Sequence, residues 1–273
     1  MLREYAKEKA LAATLIPRAA WRPYPTVADR PAWKRIPADM RRRVMACGEA
    51  SVRESWPTLP ATLYLEYARN GNRVRFETPY FKRRKLLAHR VLAECLDGKG
   101  RFGDAVMDAV WAICEESSWV LPSHVRAQKA GVGLPDPSEP IVDLFSAETG
   151  ALLAWTLYLL EPLFESRFPR LVFRIRQETE KRVLEPCLER DDFWWMGFGQ
   201  NRRLNNWTPW INSNWLACAL LLEDDARRRV RHVGRILRSL DHFVSAYPQD
   251  GGCDEGPLYW GRAGGSLFDC LEL

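Results

Sequence analysis

The hydrophobic positions of this chain recur mostly at helical spacing. Phe102, Ala105, Val106, Ala109, Val110 and Ile113 follow an i, i+3, i+4, i+7 rhythm and share one face of a helix. Val230, Val233, Ile236, Leu237, Leu240, Phe243, Val244 and Tyr247 do the same, with arginines covering the opposite side. Similar patterns predict helices at about 39–55, 61–69, 83–97, 146–165, 168–189 and 213–223. Breaks rich in Gly, Pro or Asn separate them at 98–100, 131–140, 197–199 and 251–252. Only Arg73 to Tyr80 reads, weakly, as extended. No strand–helix–strand alternation occurs, which argues against a parallel sheet and for an all-α chain.

Successive helices with polar and aromatic residues gathered in alternate loops suggest stacked antiparallel helix pairs. An open solenoid should repeat at a fixed period, and no such repeat is present, so an incomplete α/α toroid is the expected arrangement. The first 40 residues, with Pro17, Pro23, Pro25, Pro31 and Pro37, read as an irregular N-terminal arm, and 41–273 as the toroid domain. The apolar helical pattern that starts at Gly265 stops at Leu273 before its face is complete, so the chain reads as a fragment or shortened form of a longer protein.

Composition narrows the class. With 47% hydrophobic residues, the 273-residue chain has ample material for a core. Its longest uncharged apolar run, 151–160, is too short to span a bilayer, which needs about 20 residues. The charged N-terminus is a poor signal peptide. Seven cysteines without CxxC or CxH spacing fit reduced thiols, and a cytoplasmic location is expected, with no metal and no cofactor. The net charge of +5 favours anionic partners. The basic runs Arg41–Arg43, Lys82–Lys85 and Arg227–Arg229 lie on predicted helices and read as solvated faces, so neither nucleic acid nor membrane is expected as a partner. Of the 12 tryptophans, six fall in the last third (Trp194, Trp195, Trp207, Trp210, Trp215, Trp260), which points toward a carbohydrate cleft.

Three loops carry candidate chemistry. In Cys114 to His124, the residues Glu116, Trp119 and His124 form a polar pocket wall or, equally, a capped helix end with a surface histidine. In Asn205 to Trp215, four asparagines lie among three tryptophans. Asn212 or Ser213 suits the N-cap of the 214–223 helix, whereas Asn205 and Asn206 lie too far upstream to cap it and point toward ligand contact. In Asp250 to Trp260, three glycines precede Pro257, which suits the first turn of a new helix. Tyr259 projects from that turn as a proton-transfer residue or an aromatic plug. Asp254 and Glu255 are a catalytic carboxylate pair or an acidic first turn.

Taken together, the Asn205-Asn206-Trp207 segment, Asp250-Gly251-Gly252 followed by Glu255-Gly256 and Tyr259, and the Glu116/Trp119/His124 loop resemble the heparinase II/III family of polysaccharide lyases. The likeness covers at least 83–273, and Trp207 stands where related lyases often carry a histidine. The resemblance implies an incomplete α/α toroid, followed in the family by β-sandwich domains that supply a further catalytic histidine, so turnover is expected to draw on residues beyond 273. It implies an acidic oligo- or polysaccharide substrate cut by β-elimination at a uronate. Asn205 or Asn206 would neutralise the uronate carboxylate, and Tyr259 would be base, acid or both. Substrate contacts would come from Trp207, Trp210, Arg202, Arg203, Glu116, Trp119, His124, Glu255, Trp260 and Arg262. Two other readings stand beside it. One is an inverting glycoside hydrolase drawing its two carboxylates from Glu115, Glu116, Asp254 and Glu255. The other is a glycan-binding remnant without turnover.

Overall fold

The computed structural model describes every residue except Met1, Ala6, residues 200–203 and Asp254, and of Arg3 only the backbone. Among the described residues there is no β-strand, and about two-thirds of the chain is helical. In chain order the helices are α1 (Glu8–Thr14), α2 (Arg30–Lys34), α3 (Ala38–Arg53), α4 (Ala61–Tyr64), α5 (Glu66–Asn70), α6 (Val74–Asp97) and α7 (Gly103–Cys114). There follow α8 (Leu144–Leu159), α9 (Glu161–Arg167), α10 (Pro169–Thr179), α11 (Glu185–Glu189), α12 (Trp207–Leu222), α13 (Ala226–Ala246) and α14 (Pro257–Glu272). A π turn, Glu180–Leu184, separates α10 from α11. Pro186 accounts for it: its ring excludes the carbonyl four residues back and it has no N–H, so the ladder must loosen there.

The chain divides into two compact units, neither continuous in sequence. One comprises residues 22–141 and 152–178, and the other residues 1–21, 142–151 and 179–273.

In the 22–141/152–178 unit, α6 packs against α3 and α7. Leu86, Leu87 and Val91 of α6 meet a core to which α7 contributes Val106, Val110 and Ile113, all buried. The spacing that predicted α7 therefore identifies its core face. The approach of α3 to α6 is close enough that a Cβ on Gly48 would sit 2.2 Å from the Ala93 Cβ. Buried polar groups finish the helix ends. Glu94 accepts from the backbone N–H of Gly100 (2.7 Å) and Phe102 (2.8 Å), closing the α6–α7 connection. Arg30 donates to the carbonyls of Cys95 and Leu96 at the end of α6, and Arg90 to those of Ser51 and Ala105. The bonds to Ser51, Cys95 and Leu96 satisfy carbonyls that a helix end leaves open, while the one to Ala105 ties α6 to the first turn of α7.

The stretch 73–80, expected to be extended, is instead the start of α6. Val74, Phe76, Thr78 and Tyr80 mimic strand alternation, yet Asn72 caps the helix by accepting from Arg75 N–H (3.1 Å), and Arg73 pairs with Glu77 one turn on. Pro79 sits inside this helix. The basic runs also depart from the solvated reading. Arg83 and Arg84 are nearly buried and both hold Glu116, while Arg228 reaches Glu180 and Glu223 and Arg229 is buried. Arg41 to Arg43 are exposed, as expected.

In the other unit, α12 packs against α13 and α14, and α13 also carries α1. Helix α12 is buried almost all round, as its apolar composition requires. Helix α13 buries Val230, Val233, Ile236, Leu240 and Phe243, the predicted stripe, while Val244 at its end is exposed. Asp225 caps α13 through the N–H groups of Arg227 and Arg228. Between α12 and α13, Trp215 Nε1 donates to His232 Nδ1 at 2.9 Å, and the other imidazole nitrogen faces Glu223 at 3.8 Å. Burial first, then Arg228, Arg231 and Arg235, push the His232 pKa down to about 3. No helix among the described residues is long and apolar enough to cross a membrane.

Candidate functional site

Two of the candidate loops meet at the starts of α12 and α14. Helix α12 begins at Trp207, several residues earlier than the pattern predicts. Pro209 falls in its first turn, where a missing N–H costs nothing. Asn212 and Ser213 are thus interior rather than capping. Asn212 is fully buried, its Nδ2 donating to the Thr208 carbonyl and to Ser239 Oγ, both at 2.8 Å. The helix start belongs instead to the pair judged too far upstream: Asn205 Oδ1 accepts from Trp207 N–H at 3.0 Å, an Asx turn that launches α12.

Asn206 occupies the N-cap position, but its side chain does not cap. Its backbone N–H (3.4 Å) and its Nδ2 both donate to the same Glu255 oxygen, Oε2. Asn206 is 2% exposed, and its Oδ1 has no hydrogen-bond partner among the described residues. Glu255 is exposed and supplies a carboxylate where the α12 dipole favours negative charge, so its acidic role serves α12 rather than α14.

Gly256 then turns the chain at φ 87°, which a side chain would strain, and Pro257 is the first residue of α14. Tyr259 lies on that first turn, 41% exposed, and makes no side-chain hydrogen bond among the described residues. Trp260 Nε1 donates to the Gly251 carbonyl at 2.9 Å, tying the loop back onto the helix. One turn below the start of α12, Trp210 is buried, with its Nε1 on Glu148 (2.9 Å) and the Arg262 guanidinium 4.3 Å over its ring. Trp207 is half-buried against Trp194, ring centres 5.2 Å apart. Arg202, Arg203 and Asp254 lie outside the described residues.

The tryptophans thus divide. Trp195 and Trp215 are core residues, with Nε1 groups on the Val142 carbonyl and on His232. Trp194, Trp207 and Trp260 keep exposed surface beside the Asn206–Glu255 contact or its loops.

Glu116, Trp119 and His124 fall in the 22–141/152–178 unit. Glu116 takes Arg83 Nη1 at 2.9 Å and Arg84 Nη1 and Nη2 at 2.8 and 2.6 Å. Arg84 is nearly buried and also stacks on Tyr80, 3.5 Å from its ring centre. Despite burial, which lowers it, its pKa is raised by Glu116 and Tyr80. Trp119 is buried, its Nε1 donating to the Ile113 carbonyl while its own carbonyl accepts from Tyr80 OH. His124 is half-buried, with its backbone N–H on the Leu121 carbonyl. Glu116 and Arg83 border a cleft of about 550 Å³ whose rim includes the exposed Trp111.

Sequence reasoning missed Glu148, the partner of Trp210, because it sits on an apolar helix with no local signal. It also missed the buried Arg229, whose place in a basic run concealed it. Among the described residues no group of three or more His, Cys, Asp or Glu is placed to hold a metal ion. Fold and site together define an all-α protein in which the chain's own Glu255 carboxylate rests on Asn206 at the start of α12, beside exposed tryptophan surface. No protein-family model matches the chain, and no curated protein matches it either.

Proposed function

We propose that this chain is a polysaccharide lyase-like domain that acts by β-elimination on uronate-containing acidic glycans, its helices paired as an incomplete α/α toroid. The observation that supports this reading best is the convergence of two Asn206 donors on one carboxylate oxygen, four residues before the exposed Tyr259. Glu255 stands in that site for the carboxylate of a uronate. A substrate carboxylate displacing it would meet the same N–H groups and the same helix terminus.

With the carboxylate charge so neutralised, the C5 proton of the uronate becomes removable. The Tyr259 oxygen takes that proton, and the C5–H electrons form the C4–C5 double bond. The C4–O bond breaks, and its electrons leave with the glycosidic oxygen, which gains from Tyr259 the proton taken from C5. The products are an unsaturated uronate and a chain with a new hydroxyl end. Trp207 and Trp260 offer faces for neighbouring sugar rings, and Arg262 offers a cation to their acidic groups. The seven free cysteines fit a reducing compartment, and we place the activity in the cytoplasm.

The test is to treat a panel of glycosaminoglycans and alginate with the full-length natural protein and to follow the absorbance of the unsaturated uronate. The expected result is product formation on at least one polymer, reduced on the order of 100-fold or more in Tyr259→Phe, the scale of lost acid–base catalysis. Reducing ends without unsaturation would replace this reading with a hydrolase. Glycan binding by calorimetry without either product would replace it with a binding remnant.

A further inference from the structure

A second cleft, of about 630 Å³, lies between α1 and α13 in the 1–21/142–151/179–273 unit, and its lining is basic and apolar. That volume is in the range of small-molecule sites, about 300–1,000 Å³. Lys9, Arg18, Arg227, Arg229 and Arg231 line it, against the acidic Glu8 and Asp224. Ala12, Leu15, Pro17 and Val230 supply apolar wall.

The unusual member is Arg229, which is 5% exposed. One of its terminal nitrogens donates to the Ile16 carbonyl, and that is all the hydrogen bonding its guanidinium makes among the described residues. Among the described residues its Nε–H is buried without a partner and no carboxylate pairs with it. Arg18, beside it, is already engaged by Asp224, and Arg231 reaches Glu189 at 3.4 Å. Burial, then repulsion from Arg18, pull the pKa of Arg229 down. A buried guanidinium without a counter-charge is costly to a fold, and an anion supplied from outside offsets that cost. The guanidinium fork matches carboxylate and phosphate oxygens two at a time.

We propose that this cleft binds a small organic anion, whose phosphate or carboxylate head seats on Arg229 and whose apolar body lies along Leu15 and Val230. The site is separate from the Asn206–Glu255 contact and does not depend on the reading given to it. Calorimetric titration of the full chain with hexyl phosphate, hexanoate, inorganic phosphate and hexanol tests it. One of the two amphipathic anions should bind at least tenfold more tightly than inorganic phosphate, and the stronger of the two identifies the head group. Hexanol should show no binding.

Arg229→Met should weaken that anion at least tenfold while leaving the melting temperature unchanged or higher, because it removes an unpaired buried charge at similar volume. Ala12→Trp, an exposed position on α1, should fill the cleft and abolish binding with the fold and net charge intact. The proposal is overturned if neither amphipathic anion binds more tightly than inorganic phosphate. It also fails if Arg229→Met or Ala12→Trp binds the anion as the parent does.

Discussion

At the level of single residues, the least expected placements are charged or polar groups that the fold has enclosed. His232 is the clearest. It accepts from Trp215 through Nδ1, so the neutral ring carries its proton on the nitrogen facing Glu223. Its pKa falls from an ordinary 6.5 to about 3. Below pH 6.5 the unfolded chain therefore binds a proton that the folded chain refuses until about pH 3. Stability should fall with pH through that window, by at most about 1.4 kcal/mol per pH unit, and this contribution should be flat above it. Denaturant midpoints from pH 7.5 to 4 for the parent and for His232→Gln should separate in slope by close to one proton. Parallel curves would show that His232 does not titrate as its surroundings require. Neither this histidine nor Arg229 announces itself in the sequence. Each lies on an amphipathic helix amid arginines, and only the neighbouring elements decide which of those positions is covered.

At the level of elements, the legible parts of the chain are those where one signal dominates. Helix α13 combines an apolar stripe, an Asp cap and an arginine face, and the pattern gives its course closely. The beginnings of α6 and α12 were illegible for opposite reasons. In α6, alternating Val, Phe, Thr and Tyr around Pro79 imitates a strand, and the Asn72 cap is a weaker signal than that alternation. In α12, asparagines and Pro209 look like loop, although the helix is buried almost all round and Asn212 and Asn214 each donate to a carbonyl one turn back in the same helix. Of the candidate site, the pairing of the 205–207 and 250–260 loops is what the family resemblance implies. The specific bond from Asn206 to Glu255 could not be anticipated, because it depends on how α12 and α14 pack. Packing also sets the sign of a paired test. Alanine gains about 1 kcal/mol over glycine in a helix, whereas forcing atoms into a filled contact costs about 1–3 kcal/mol. At Gly48 the added Cβ meets Ala93 at 2.2 Å, so Gly48→Ala should destabilise; at Gly264 it meets nothing within 4 Å, so Gly264→Ala should stabilise. Thermal melts of the two variants should move in opposite directions, and a stabilised Gly48→Ala would show that α3 and α6 do not approach so closely.

For the molecule as a whole, the decisive property is that both units are assembled from separated stretches of chain. An all-α class was readable from periodicity, but this interleaving was not, because sequence patterns report local faces and are silent on which distant face completes a core. Residues 1–21, part of the stretch of 40 that reads as an irregular arm, belong with 142–151 and 179–273. Leu2 donates its N–H to Asp241, the Ile16 carbonyl takes Arg229, and Arg18 pairs with Asp224. A fragment of residues 142–273 should accordingly show helical circular dichroism without a cooperative melt. Adding a peptide of residues 1–21 should restore cooperativity, and a sharp melt without the peptide would count against the interleaving. The same arrangement fixes an order of events during synthesis. Helix α1 emerges first, yet its partner α13 follows some 200 residues later, which at about 5–20 residues per second is a delay on the order of 10–40 s. Through that interval the apolar side of α1 has no native surface to rest on, and it stays uncovered until α13 has left the ribosome.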